Sequence, residues 1–172
     1  TRMVGEACIT QIDLICLPEI FAWAALDVQE KQQAAESIDG SICRQLARLA
    51  KKCSVYILPP ILERDGQNVF NTAVLLDRPG SLAGTYRKVR PTDYEMEQGI
   101  TPGTEEFDCF QTEFGPVGCA ICFDLNYQEI IARIQSQGCK LVLFPSMFQG
   151  IFLMRTWAQL YGLYFVSAAA SF

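Results

Sequence analysis

The 172-residue chain contains no histidine, and that absence excludes every Ser-His, Cys-His and His-ligated metal mechanism. Acid–base chemistry falls instead to carboxylates, lysines, tyrosines and cysteines. Basic residues are also few: 14 Lys and Arg stand against 19 Asp and Glu, for a net charge of −5. With no basic run, nucleic acid is excluded as the main partner. No apolar run reaches the length of a membrane span, and no secretory signal precedes a cleavage site, so no membrane partner is expected.

Half of the residues are hydrophobic, which fits one globular domain with a sizeable core, or a large part of one. The eight cysteines (Cys8, Cys16, Cys43, Cys53, Cys109, Cys119, Cys122 and Cys139) sit almost all in apolar stretches. That placement predicts small buried hydrophobes in a reducing, cytoplasmic compartment, not a disulfide framework.

Residues 1–11 have helical spacing. Short apolar runs at 13–18, 55–58, 69–77, 81–88, 107–111, 117–123, 140–145 and 163–170 predict strands. The pair 69–77 and 81–88 is read as antiparallel across Arg78-Pro79-Gly80. Ser41 is the expected cap of a helix running to about Cys53, and further helices are expected at 127–137 and 152–162. Residues 29–36 form a surface helix or loop, and 95–103 a helical turn. Alternating strands and helices with antiparallel pairs place the chain in the α/β class with a mixed sheet. It opens on a helix and stops after a strand, so 1–172 is expected to be a single, incomplete domain.

Three predicted strand ends carry a group able to do chemistry: Glu19 after Leu-Ile-Cys-Leu-Pro, Lys88 after Gly-Thr-Tyr-Arg, and Cys122 before Phe-Asp-Leu. A glutamate can take a thiol proton. A lysine can lower a thiol pKa and hold an oxyanion, and a strand-to-helix break can favour a thiolate. Each has a plainer alternative: Glu19 as a first-turn helix carboxylate, Lys88 as one of several solvated charges, and Cys122 as core. Spacing alone favours the plainer set. Cys119 and Cys122 also form a lone C-x-x-C, a weak signal for redox or zinc use; Cys119 is read as core.

Leu17-Pro18-Glu19, Gly84-Thr85-Tyr86-Arg87-Lys88 and Gly118-Cys119-Ala120-Ile121-Cys122-Phe123-Asp124 resemble, in order, the three signature segments of the nitrilase superfamily of carbon–nitrogen hydrolases. Asp13-Leu14, Asn71-Thr72 and Gly99-Ile100-Thr101-Pro102-Gly103 add to the resemblance, which spans nearly the whole chain. It implies an α-β-β-α sandwich and a Glu19–Lys88–Cys122 triad: base, oxyanion holder and nucleophile. The Phe123 N–H would be a second oxyanion donor. Glu95 is expected as a second site glutamate in preference to Glu97. Asn126 and Phe148 are further substrate-contact candidates, and Phe21, Trp23 and Phe152 are candidate acyl-pocket side chains.

The implied activity is an amidase or carbamoylase acting on a small-molecule, non-peptide C–N bond, without metal or organic cofactor, in a homo-oligomer. Alternatives are a nitrile hydrolase of the same superfamily, a truncated non-catalytic binding relative, or a thiol redox or metal protein built on Cys119 and Cys122. Two segments depart from the family pattern. Val89-Arg90-Pro91 lacks a histidine, and Asp124-Leu125-Asn126-Tyr127-Gln128-Glu129 lacks the arginine often found there.

Overall fold

The computed structural model describes residues 12–23 and 26–170, so the helical spacing of 1–11 lies outside the described residues. The first half comprises β1 (Leu14–Cys16), α1 (Val28–Ala34), α2 (Ser41–Cys53), β2 (Tyr56–Leu58), β3 (Pro60–Asp65), β4 (Asn68–Leu76) and β5 (Leu82–Arg87). The second comprises α3 (Asp93–Glu97), β6 (Phe110–Thr112), β7 (Gly115–Cys119) and a 3₁₀ turn (Cys122–Asn126). It continues through α4 (Gln128–Ser136), β8 (Leu141–Ser146), α5 (Ile151–Tyr161) and β9 (Tyr164–Ala169).

Two mixed sheets result. In one, β1 runs parallel to β2, and β4 pairs antiparallel with β2, β3 and β5. The other has the order β6-β7-β8-β9, antiparallel at its first pair and parallel thereafter.

Side-chain alternation along the strands builds the layers. Tyr56, Leu58, Ala73 and Leu75 share one core with Val117 and Leu143 of the second sheet. Their neighbours Ile57, Val74 and Leu76 turn the other way and pack with Cys43, Leu46 and Ala50 of α2. Ile130, Ile131 and Ile134 of α4 and Trp157 of α5 join the first core from the second sheet's side. The architecture is the expected α-β-β-α sandwich. Gly118 lets α4 approach β7 closely, because a Cβ there would overlap Ile134 Cγ2.

Several local expectations shift. Gly40, not Ser41, is the N-cap residue of α2, because the Glu36 carboxylate accepts the Ser41 and Ile42 N–H groups and does the capping. The run 117–123 is not one strand: β7 ends at Cys119, and the backbone turns at Cys122 with φ 47°. Six described cysteines are free thiols but Cys53 is disulfide-bonded, so the cysteines are not uniformly small buried thiols. Among the described residues no helix is long and apolar enough to cross a membrane.

Candidate active site

Glu19 follows β1 at the turn that Pro18 begins, and its side chain is buried. Lys88 leaves β5 with its N–H bonded to the Asn71 carbonyl at 2.8 Å, which fixes the strand exit. Cys122 opens the 3₁₀ turn beyond β7, and Ala120 N–H bonds Leu143 O (3.1 Å), seating that turn against β8.

Asp124 ties the turn to the Lys88 segment. Its buried carboxylate accepts from Tyr86 Oη (2.9 Å), Arg90 N (2.8 Å) and Ile121 N (3.0 Å). Cys122 and Ile20 both have left-handed backbone, at φ 47° and 44°. For a β-branched residue such as Ile20 that conformation is an outlier, and such strain gathers at functional sites. Here it lies beside the glutamate and at the cysteine.

The three groups converge. Lys88 Nζ donates to Glu19 Oε1 at 2.9 Å and to both Glu95 oxygens at 2.8 Å. Glu19 Oε2 accepts the Met147 N–H at 3.0 Å. Glu19, Lys88, Glu95 and Cys122 all line one cavity of about 290 Å³, together with Ile20, Lys31, Asn71, Tyr94 and Met147. A larger furrow of about 430 Å³, along β5 and residues 104–111, includes none of the four.

Burial is the largest influence on the Cys122 thiol and, with the Glu19 charge, pushes it up to about 11. The Lys88 charge, the Met147 N–H and the Ser146 hydroxyl pull the other way but do not prevail. The resting thiol is therefore protonated at neutral pH, which corrects the expectation that its strand-end position favours a thiolate. Burial would lower the Lys88 pKa, but the Glu19, Glu95 and Cys122 charges raise it, so it stays an ammonium. Burial would raise the Glu95 carboxyl; the Lys88 charge and hydrogen bond, with those of Thr92 and Asn71, hold it below the ordinary range.

Between the two candidate second glutamates the geometry separates clearly. Glu95 sits on Lys88 and closes the capping box of α3, its carboxylate accepting Thr92 N–H at 2.8 Å, whereas Glu97 is exposed. Other expectations do not hold. Asn126 is exposed, and its side chain donates to Phe123 O (3.0 Å) instead of lining the cavity. Phe148 packs edge-on against Phe144 and is not in the cavity lining; the Phe123 ring, to which no role was given, packs edge-on against Tyr127. Trp23 is core, Phe21 packs edge-on against it, and Phe152 is 80% exposed on α5. Their aromatic character signalled a pocket, but the sandwich uses it in the core and on the surface. Cys119 is buried core, as read.

Two contributors are not legible as site residues in the sequence. Met147 acts through its backbone N–H, which no side-chain pattern reveals. Asn71 enters the resemblance as a hairpin match with no site role attached, yet its Nδ2 donates to Glu19 Oε1 at 2.8 Å and to Glu95 Oε1 at 3.3 Å.

Comparison with known proteins bears on family and fold. The carbon–nitrogen hydrolase family profile matches residues 1–168. The omega-amidase NIT2 of Homo sapiens is 29% identical over 84% of this chain and 55% of its own length. The deaminated glutathione amidase of Bos taurus is 25% identical over 87% of this chain and 50% of its own. The chain thus spans about half the length of these curated relatives. In fold, the C. elegans NitFhit protein superposes with a TM-score of 0.84 at 24% identity, covering 96% of this chain and 45% of that one. A carbon–nitrogen hydrolase from Helicobacter pylori G27 gives the same score at 20% identity over 96% and 65%. With the sandwich, the order of the three segments and a profile match along nearly its whole length, the chain belongs to the carbon–nitrogen hydrolases of the nitrilase superfamily.

Proposed function

We propose that this chain carries the catalytic centre of an amidase that cleaves a small, non-peptide C–N bond through a Cys122 acyl-enzyme. One observation carries the reading: Glu19, Lys88 and Cys122 line one cavity, with Lys88 bonded to Glu19.

Glu19 takes the Cys122 proton as the sulfur attacks the amide carbon. The new C–S bond pushes the carbonyl electrons onto oxygen, and that oxyanion rests on the Lys88 ammonium and the Phe123 N–H. Collapse breaks the C–N bond, and ammonia or an amine leaves with the proton from Glu19. Glu19 then takes a proton from water, which attacks the thioester. The acid departs and the thiol recovers its proton. Glu95 steadies Lys88 during both halves. Cofactors have no role in this sequence.

The small cavity suits a compact acyl group, and the human and bovine relatives are both named as amidases. An amide or carbamoyl substrate is therefore preferred to a nitrile. Ammonia release across a panel of small amides, carbamoyl compounds and nitriles tests this. Cys122→Ala should abolish turnover, and Cys119→Ala should keep it. Turnover surviving in Cys122→Ala would defeat the proposal.

A further inference from the structure

Asn71 lies on β4, is 1% exposed, and touches the site in three ways. Its carbonyl accepts the Lys88 N–H, and its Nδ2 bridges one oxygen each of Glu19 and Glu95. Its Oδ1 is buried without a protein partner among the described residues. That orientation is dictated by charge. Turning the amide over would set a carbonyl oxygen against two carboxylates and strand both N–H donors.

Two carboxylates around one ammonium leave one negative charge uncompensated, and neighbouring carboxylates in that position tend to share a proton. The groups facing Glu19 are Lys88 from the exit of β5, Glu95 from α3 and Cys122 from the 3₁₀ turn; Lys31 of α1 lines the same cavity. The amide of Asn71 is the neutral donor placed between the two acids. Asn71 and Lys88 together occupy Glu19 Oε1, while among the described residues Oε2 has only the Met147 N–H, a donor that also reaches Cys122.

The geometry points to Asn71 as a positioning residue that keeps Glu19 ionised beside Glu95 and presents Oε2 to the Cys122 thiol. This rests on the triad reading above and adds to it the device that lets two glutamates share one lysine without one of them holding a proton.

The test needs no substrate. Iodoacetamide alkylates Cys122 at a rate that follows proton removal by Glu19, read by peptide mass spectrometry from pH 4 to 9. Asn71→Leu should move the acidic limb of that profile up by about one pH unit, an approximately tenfold slower reaction on the limb. Asn71→Ser, which keeps a single donor, should fall between. Thermal unfolding checks that each variant is folded; if Asn71→Leu is not, Asn71→Ser decides. A uniform slowing at all pH values, with the limb unmoved in the folded variants, would mean a merely structural residue and overturn the inference. Failure of the triad reading shows differently, as Cys122→Ala retaining amide turnover.

Discussion

Replacing Lys88 by methionine tests the electrostatics of the site through stability as well as activity. Lys88 is 1% exposed and lies between two carboxylates, of which Glu19 is as buried and Glu95 largely so. Lys88→Met keeps the volume and removes the charge, leaving the two acids facing each other out of water. Breaking a buried ionic set from one side costs about 3–5 kcal/mol, a large share of an ordinary domain's stability.

The pH dependence gives the sign. In the wild type the Glu95 carboxyl is held low, so its contribution is present above the unfolded value of 4.5 and lost as pH falls through the folded one. In Lys88→Met the stranded carboxylates gain protons more readily than in the unfolded chain, so the variant regains stability as pH falls from 7 to 5. Adding Glu95→Gln should recover much of the loss at pH 7. Urea unfolding at both pH values measures all of this. An unchanged stability at pH 7, or a loss that does not shrink at pH 5, would refute the claim that the Lys88 charge holds these two carboxylates out of water.

Two further outcomes follow from neighbouring features. Burial pushes the Asp124 carboxyl from 3.8 to about 6 despite three donors, so its contribution is full below about pH 4 and is lost as pH rises through 6. At about 1.4 kcal/mol per pH unit, the stability gap between wild type and Asp124→Asn should narrow by roughly 3 kcal/mol between pH 4 and 7; a constant gap in urea unfolding would contradict this. Gly118→Ala should cost about 1–3 kcal/mol by overlap with Ile134, and Ile134→Ala in the same chain should relieve part of that cost. Additive losses in the double variant would show that the overlap is not the cause.

Much of the sandwich could be read from the chain because alternation on β2 and β4 matches their two cores, and because Gly138, at positive φ, follows the end of α4 where its position suggests. The break at Cys122 was hidden, since Ala120 and Ile121 continue an apolar run that only the left-handed backbone interrupts. That Glu19, Lys88 and Cys122 line one cavity was legible because the order of the three segments singles them out. Asn71 was not, since its two carboxylate partners come from residues 52 and 24 positions away and meet it only in the folded sheet. The aromatic residues misled for the opposite reason: a ring serves a core, a surface or a pocket equally well, and nothing local distinguishes Phe148 or Phe152 from a pocket wall.

The central claim is that Cys122 becomes acylated. The direct measurement is intact and peptide mass spectrometry of acid-quenched protein after mixing with an amide that it hydrolyses. Acylation gives a mass gain equal to the amide less ammonia, on the peptide holding Cys122, present in wild type and lost in Cys122→Ala. Turnover with no adduct on Cys122, or an adduct on Cys119 in its place, would contradict it.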